Sequence, residues 1–389
     1  MFKLLKNAEC YTPDYQGKKD ILVVLGKIYR MEENISESIL PDIQVMDCSG
    51  RIAMPGIIDQ HVHLTGGGGE EGPASCIPEL MAGELVAGGI STVVGVLGMD
   101  GIVRNIQGLL TKARALEIEG INTYIYTGYY GVPAVTLTGR VMTDIAFIDK
   151  IIGAGEIAIS DYRSSHSSTQ QLKELAFEVL SGGMLGRKAG ILHIHVGDGQ
   201  NGLKPLLDLH NDSEFPIGMF VPTHINRNRA LFEQGVEYLK QGGNIDLTAG
   251  EKTGKGLSVQ DGLKRLLDTG VAMDRVTVSS DGNGSMAGGG SGGEVGKVSQ
   301  LFEDIRASIL EAKIPVSAAI KTVTANVAAV LRMFPAKGCL APGSDADILV
   351  ADRESFALDK LLVRGELLAD NGKPLIKGRF EQRHSPPSS

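Results

Sequence analysis

Two imidazoles stand two residues apart in Asp59-Gln60-His61-Val62-His63-Leu64, directly after the apolar run Ile52 to Ile58. That run reads as a buried strand, and side chains two apart on a strand face the same way, so His61 and His63 converge on one point. Neutral imidazole is the commonest metal ligand, and two of them at a strand end need only a few more ligands to make a catalytic site. Further candidates close other short apolar runs: His195 in His193-Ile194-His195, His224 in Pro222-Thr223-His224 and Asp281 in Ser279-Ser280-Asp281. If these residues bind metal, two ions would need a bridging group, since four imidazoles and one carboxylate are too few for two separated sites. Glu156, in Gly155-Glu156-Ile157-Ala158, is the candidate bridge, because a carboxylate opening a buried strand is costly unless a cation sits beside it. His193 and His166 read as structural residues.

Something must hold these residues together, and the apolar pattern says what. Between residues 52 and 281 lie eight short apolar runs: Ile52 to Ile58, Ile90 to Leu97, Ile121 to Thr127, Glu156 to Ser160, Ile191 to His195, Met219 to Thr223, Asn244 to Thr248 and Arg275 to Ser279. The stretches between them have helical periodicity, as in Leu172, Leu175, Ala176, Val179 and Leu180, or Leu231, Phe232, Val236 and Leu239. Strands alternating with helices at this pitch imply an α/β fold with a parallel sheet and right-handed crossovers. Eight such units predict a closed (β/α)8 TIM-type barrel over 54–337, with its site at the C-terminal strand ends, where every candidate ligand falls. An open doubly wound sheet is the alternative, but no Gly-x-Gly-x-x-Gly follows the first strand. The two ends differ from the middle: residues 1–53 and 338–383 hold short strands punctuated by turns, and neither end can bury a core alone. One small β-sandwich domain built from both termini is the economical reading, with 384–389 a disordered tail.

Composition narrows the partners. A net charge of −8 and a pI near 5.6 lack the basic footprint that nucleic acid or an anionic membrane requires. No apolar stretch approaches the ~20 residues of a membrane helix, and the N-terminus lacks a signal-peptide core. Four scattered cysteines without a CxxC pair favour neither a disulfide scaffold nor a thiolate zinc site, and fit a reducing cytoplasm. The glycine runs Gly66 to Gly69 and Gly282 to Gly296 do not match a phosphate-binding loop. The second follows Asp281 and reads either as a mobile cover over the site or as a passive linker.

The run Gly56-Ile57-Ile58-Asp59-Gln60-His61-Val62-His63-Leu64, the later His195, His224 and Asp281, and Pro342-Gly343-Ser344-Asp345-Ala346-Asp347-Ile348 together resemble the metal-dependent amidohydrolase superfamily. Within it, Gly66-Gly67-Gly68-Gly69-Glu70, Ser160-Asp161-Tyr162-Arg163-Ser164, Pro222-Thr223-His224-Ile225-Asn226-Arg227 and Ser279-Ser280-Asp281-Gly282-Asn283-Gly284-Ser285 resemble bacterial isoaspartyl dipeptidases. The resemblance implies a barrel with a β-sandwich side domain, two zinc ions (Zn2+), homo-oligomerisation and hydrolysis of β-aspartyl dipeptides. It implies attack by a metal-bridging hydroxide, with Asp281 as general base and acid and Tyr130 donating to the oxyanion; Tyr129 is the expected core residue. Glu70 would take the α-ammonium of the substrate, Arg163 and Arg227 its carboxylates, and Ser285 and the backbone at Gly68 would add hydrogen bonds. Two departures stand out: Glu156 occupies the position of a carboxylated lysine, which leaves a mononuclear site open, and Met99 replaces a hydroxyl residue. A cyclic amide hydrolase of dihydroorotase or hydantoinase type is the alternative enzyme, and a non-catalytic structural homologue the alternative from another class.

Overall fold

The computed structural model describes residues 2–251, 256–286, 294–379 and 381. Eight parallel strands form its centre: β1 (Ile57–Val62), β2 (Ile90–Gly95), β3 (Asn122–Thr127), β4 (Ile151–Ile159), β5 (Ile191–Val196), β6 (Phe220–Thr223), β7 (Ile245–Thr248) and β8 (Val276–Ser279). Strands β1 to β6 make one parallel sheet in sequential order, and β7 pairs β8. Nearly every residue of these strands is buried, which is why they read as continuous apolar runs and not as alternating ones.

Two seams close the ring. Between β8 and β1, the His63 N–H donates to the Gly282 carbonyl at 2.9 Å, and Val62 bridges Gly282 in parallel. Between β6 and β7 the closure is made by a side chain. The Asn226 amide accepts from the Thr248 N–H at 2.8 Å and donates to the Thr248 carbonyl at 2.9 Å, standing in for a ladder pair beside a strand in which Pro222 has no N–H to give. In the barrel interior the buried Asp246 carboxylate takes hydrogen bonds from Gln60, Thr223, Thr277 and Ser279 at 2.6–2.8 Å, and so satisfies itself without a countercharge.

Helices fill the crossovers. Ser168 caps Thr169–Gly186 in a reciprocal capping box with Gln171, and Leu172, Leu175, Ala176 and Val179 are its buried face, with Leu180 half-buried. Asn228 caps Arg229–Lys240, which buries Leu231, Phe232, Val236 and Leu239. Among the described residues no helix is long and apolar enough to cross a membrane.

Strands from both chain ends join in one nine-stranded sheet, in the order 373–374, 366–370, 358–363, 348–352, 51–55, 2–11, 15–24 and 27–32, with 44–47 beside 2–11. Its inward residues, among them Leu5, Ile21, Ile28, Ile348, Val350 and Leu362, form a core of their own. The run Ile52 to Ile58, expected as one strand, is two. Arg51–Pro55 belongs to the terminal sheet and Ile57–Val62 to the barrel, with Gly56 between them. A Cβ on Gly56 would lie 2.4 Å from Ser91 Oγ, so only glycine passes at this crossing. Beside it an ion cluster links Asp347, just before strand 348–352, to Asn122 of β3. Lys337 Nζ lies 2.6 Å from Asp347 and 2.9 Å from Asp345, and Asp347 also accepts from Asn122 at 2.9 Å. The expected tail 384–389 and the centre of the Gly282–Gly296 run lie outside the described residues; on either side of that centre, Ser285–Met286 pairs Glu294–Val295.

Candidate active site

His61 and His63 end β1 with ring centroids 5.5 Å apart. Glu156 differs from expectation. It does not open a strand but sits inside β4, 1% exposed, because the apolar run extends N-terminally through Ile151 to Ala154, where alternating glycine and alanine hid the strand. Its carboxylate faces all four candidate imidazoles. Oε2 lies 3.4 Å from His61 Nε2, 3.2 Å from His195 Nδ1 and 3.7 Å from His224 Nε2, and Oε1 lies 3.5 Å from His63 Nε2. Asp281 Oδ1 completes the ring at 3.1 Å from His63 and 3.4 Å from His61.

Two ligand sets result, His61–His63–Glu156 and Glu156–His195–His224, each with its atoms within 4.8 Å of one another and Glu156 common to both. The donor set fits divalent metal on a further ground: His61 Nε2 and Glu156 Oε1 are buried without a hydrogen-bond partner, and a cation between them would satisfy both. Burial opposes charge on Glu156, His61 and His224, and pairing reverses it in the first two. Glu156 stays well below the usual carboxylate range against the His61 charge, and His61 rises to about 9 beside Glu156 and Asp281. His224, by contrast, is pushed down to about 3 by burial and by Arg227, so its imidazole is neutral and ready to ligate.

Beside the ligands lies a charged pocket. Tyr130 is buried, its hydroxyl 2.9 Å from His195 Nδ1, and burial raises its pKa well above the ordinary value, so it keeps its proton. Tyr129, expected in the core, is only half-buried. Arg163 Nη1 donates to Glu70 Oε1 at 3.2 Å, and Ser285 Oγ donates to the same oxygen at 2.7 Å. Arg227 Nη1 donates to the Val196 carbonyl at 3.0 Å and lies 3.3 Å from His195 Nε2. Gly68 bridges Cys76 within the Glu70 loop, and it is Gly67 whose Cβ position falls 3.3 Å from His63 Nδ1. Met99 is half-buried in the loop after β2.

Several residues were not anticipated. His193 Nε2 lies 2.9 Å from His61 Nδ1 and orients that ring, while Tyr126 stacks on His193 with centroids 5.2 Å apart. The signal was there, since His193 and His195 share the spacing of His61 and His63. Asp161 lies 3.0 Å from His195 Nε2, Thr248 Oγ1 lies 2.7 Å from His224 Nδ1, and Glu251 lies 3.6 Å from Arg227 Nε. His166 is exposed.

The crystal structure of a β-aspartyl dipeptidase from Fervidobacterium islandicum AW-1, in complex with β-Asp-Leu, is 42% identical, with a TM-score of 0.90 over 96% of this chain and 98% of that one. Dihydropyrimidinase from Brevibacillus agri NCHU1002 shares the fold, with a TM-score of 0.68 at 16% identity over 97% of each chain. Dihydroorotase from Aquifex aeolicus (strain VF5) is 31% identical over 170 residues, which is 41% of this chain and only 36% of that relative's length. A model of the amidohydrolase family matches residues 52–368, which takes in every barrel strand and every candidate ligand, and the chain therefore belongs to that family.

Proposed function

We propose that this chain is a metal-dependent dipeptidase that hydrolyses β-aspartyl dipeptides. The observation that carries the reading is the Glu70–Arg163–Ser285 cluster beside the ligand sets, with contacts of 3.2 and 2.7 Å. A β-aspartyl dipeptide bears one ammonium and two carboxylates around its amide, and a pocket of one carboxylate with two guanidiniums is its complement. The relative solved with β-Asp-Leu supports it. His61, His63 and Asp281 would hold one ion and His195 and His224 the other, with Glu156 between them; zinc suits this N/O donor set. When bound, divalent metal supplies Lewis-acid chemistry, acidifying water and polarising the scissile carbonyl.

The remaining chemistry is the chain's own. Asp281 is held ionised by His63 and His61 against its burial, and its carboxylate takes a proton from attacking water and returns it to the leaving amine. Tyr130, protonated at neutral pH, donates to the oxyanion. Glu70 receives the ammonium and Ser285 steadies it; Arg163 and Arg227 receive carboxylates, with backbone at Gly68 against the substrate. Glu156 offers two oxygens without carbon dioxide, unlike a carboxylated lysine. We also read residues 1–53 plus 338–383 as a small β-sandwich domain, supported by its separate core, beside a 54–337 barrel. The four free cysteines support a reducing cytoplasm, and self-association belongs to the same reading.

The dihydroorotase match keeps a cyclic amide hydrolase as the second reading, but such a substrate has no ammonium and leaves Glu70 without a role. Hydrolysis of β-Asp-Leu, α-Asp-Leu and cyclic amides by zinc-loaded protein separates the two. Cleavage confined to the β-linked peptide is expected; turnover of the cyclic amides alone would replace the proposal.

A further inference from the structure

Asp161 follows the end of β4 and is 7% exposed. Its Oδ1 accepts from the Arg163 backbone N–H at 2.8 Å and from Arg163 Nε at 3.0 Å. Its Oδ2 accepts from Arg163 Nη2 at 2.8 Å and lies 3.0 Å from His195 Nε2. One carboxylate thus grips the near side of the Arg163 fork, turning Nη1 toward Glu70, and also touches the far nitrogen of a ligand imidazole. We infer that Asp161 is a positioning residue that fixes the tautomer of His195 and aims Arg163, tying metal binding to recognition of a substrate carboxylate.

One proton decides whether His195 can ligate. A neutral imidazole carries a single N–H, and His195 Nδ1 is the nitrogen that faces the metal residues, 3.2 Å from Glu156 Oε2. It ligates only if the proton is on Nε2. Two cations oppose that arrangement: Arg163 Nη2 at 3.4 Å and Arg227 Nη1 at 3.3 Å approach Nε2 as donors and favour its lone pair. Asp161 is shorter, charged and acceptor-only, so it wins and leaves the Nδ1 lone pair toward the metal side. An asparagine here can turn its amide N–H toward Nε2. All three neighbours would then donate, and the proton would move to Nδ1.

The inference rests on the dipeptidase reading for the role of Arg163, and the test separates the two. Asp161→Asn and Asp161→Glu are made in the full chain, and zinc affinity is read by competition with a chromophoric chelator alongside KM and kcat for β-Asp-Leu. Asp161→Asn is expected to weaken the binding of one zinc by about 10- to 100-fold. KM should rise, while the circular dichroism and melting of the metal-free protein stay as in the parent. Asp161→Glu, which keeps the acceptor charge, recovers most of the zinc affinity but not the KM. If Asp161→Asn does not fold, Asp161→Glu decides: retained zinc with raised KM supports the inference, and lost zinc overturns it. Parental zinc affinity and KM in folded Asp161→Asn also overturn it. A parent protein that binds zinc but leaves β-Asp-Leu intact refutes the dipeptidase reading, while the zinc comparison still decides the tautomer.

Discussion

Replacing Glu70 by glutamine tests the substrate reading most directly, because it removes one charge and almost no volume. Glu70 Oε1 receives Ser285 Oγ at 2.7 Å and Arg163 Nη1 at 3.2 Å, and an amide oxygen can accept both, so the pocket keeps its shape. The two side chains are 22% and 18% exposed, and a partly exposed ion pair contributes about 1 kcal/mol or less, so the fold should be unaffected. What the variant loses is the hydrogen bond from the substrate ammonium to a full carboxylate. A hydrogen bond to a charged group contributes about 1.5–3 kcal/mol, and at ~1.4 kcal/mol per decade that is roughly a 10- to 150-fold fall in kcat/KM for β-Asp-Leu. The assay pairs β-Asp-Leu with succinyl-leucine, which is the same molecule without its amino group. Because the second substrate has no ammonium to lose, Glu70→Gln should leave its kcat/KM within about twofold of the parent. Equal losses on both substrates would mean that Glu70 holds Arg163 or the loop and not the ammonium. No loss on either would remove the charge argument, and the cyclic amides would take its place.

Other perturbations address the metal residues and the frame. Glu156→Gln should bind markedly less zinc, measured by elemental analysis after dialysis, and lose most of its activity; parental activity should not change when bicarbonate is stripped from the buffer, whereas a carbamate bridge would make it fall. Asn226→Ala leaves the Thr248 N–H and C=O without their buried partner, so the urea midpoint should fall by an amount worth about 2–4 kcal/mol. Lys337→Met leaves Asp347, 5% exposed, without its countercharge, while Asp345 keeps Lys27, at a cost of about 3–5 kcal/mol at neutral pH. Burial works against the Lys337 ammonium, but Asp347 and Asp345 outweigh it and raise its pKa above 10.5. Its stabilisation is therefore complete below the unfolded-state value and is lost as pH rises through the folded one. The gap between parent and variant in denaturation midpoint should be constant near neutrality and close above about pH 10.5; a constant gap at all pH values would refute the assignment.

Much of this molecule is legible before it folds. The period-two spacing of His61 and His63 is a local property of an extended chain, so their shared direction follows from two residues of separation alone. The eight buried runs are apolar on both faces because helices cover a parallel sheet, and that composition survives in the sequence without contacts. What no local rule supplies is which strand ends meet. His63 and Asp281 are 218 positions apart and touch because the ring closes between β8 and β1; the relative stagger of eight strands, set by that closure, decides whether their side chains reach one point. For the same reason Glu156 was recognisable as a carboxylate out of place but not as a neighbour of four imidazoles at once. The division at Gly56 was hidden because two strands of different sheets share one apolar run, and only the crowding against Ser91 explains the glycine. The spacing of His193 and the run around Asp161 mark both residues, but not what they touch. Their parts arise from hydrogen bonds to His195 and His61 across 34 and 132 residues, and a hydrogen bond of that span exists only once tertiary packing has brought its two ends within 3 Å.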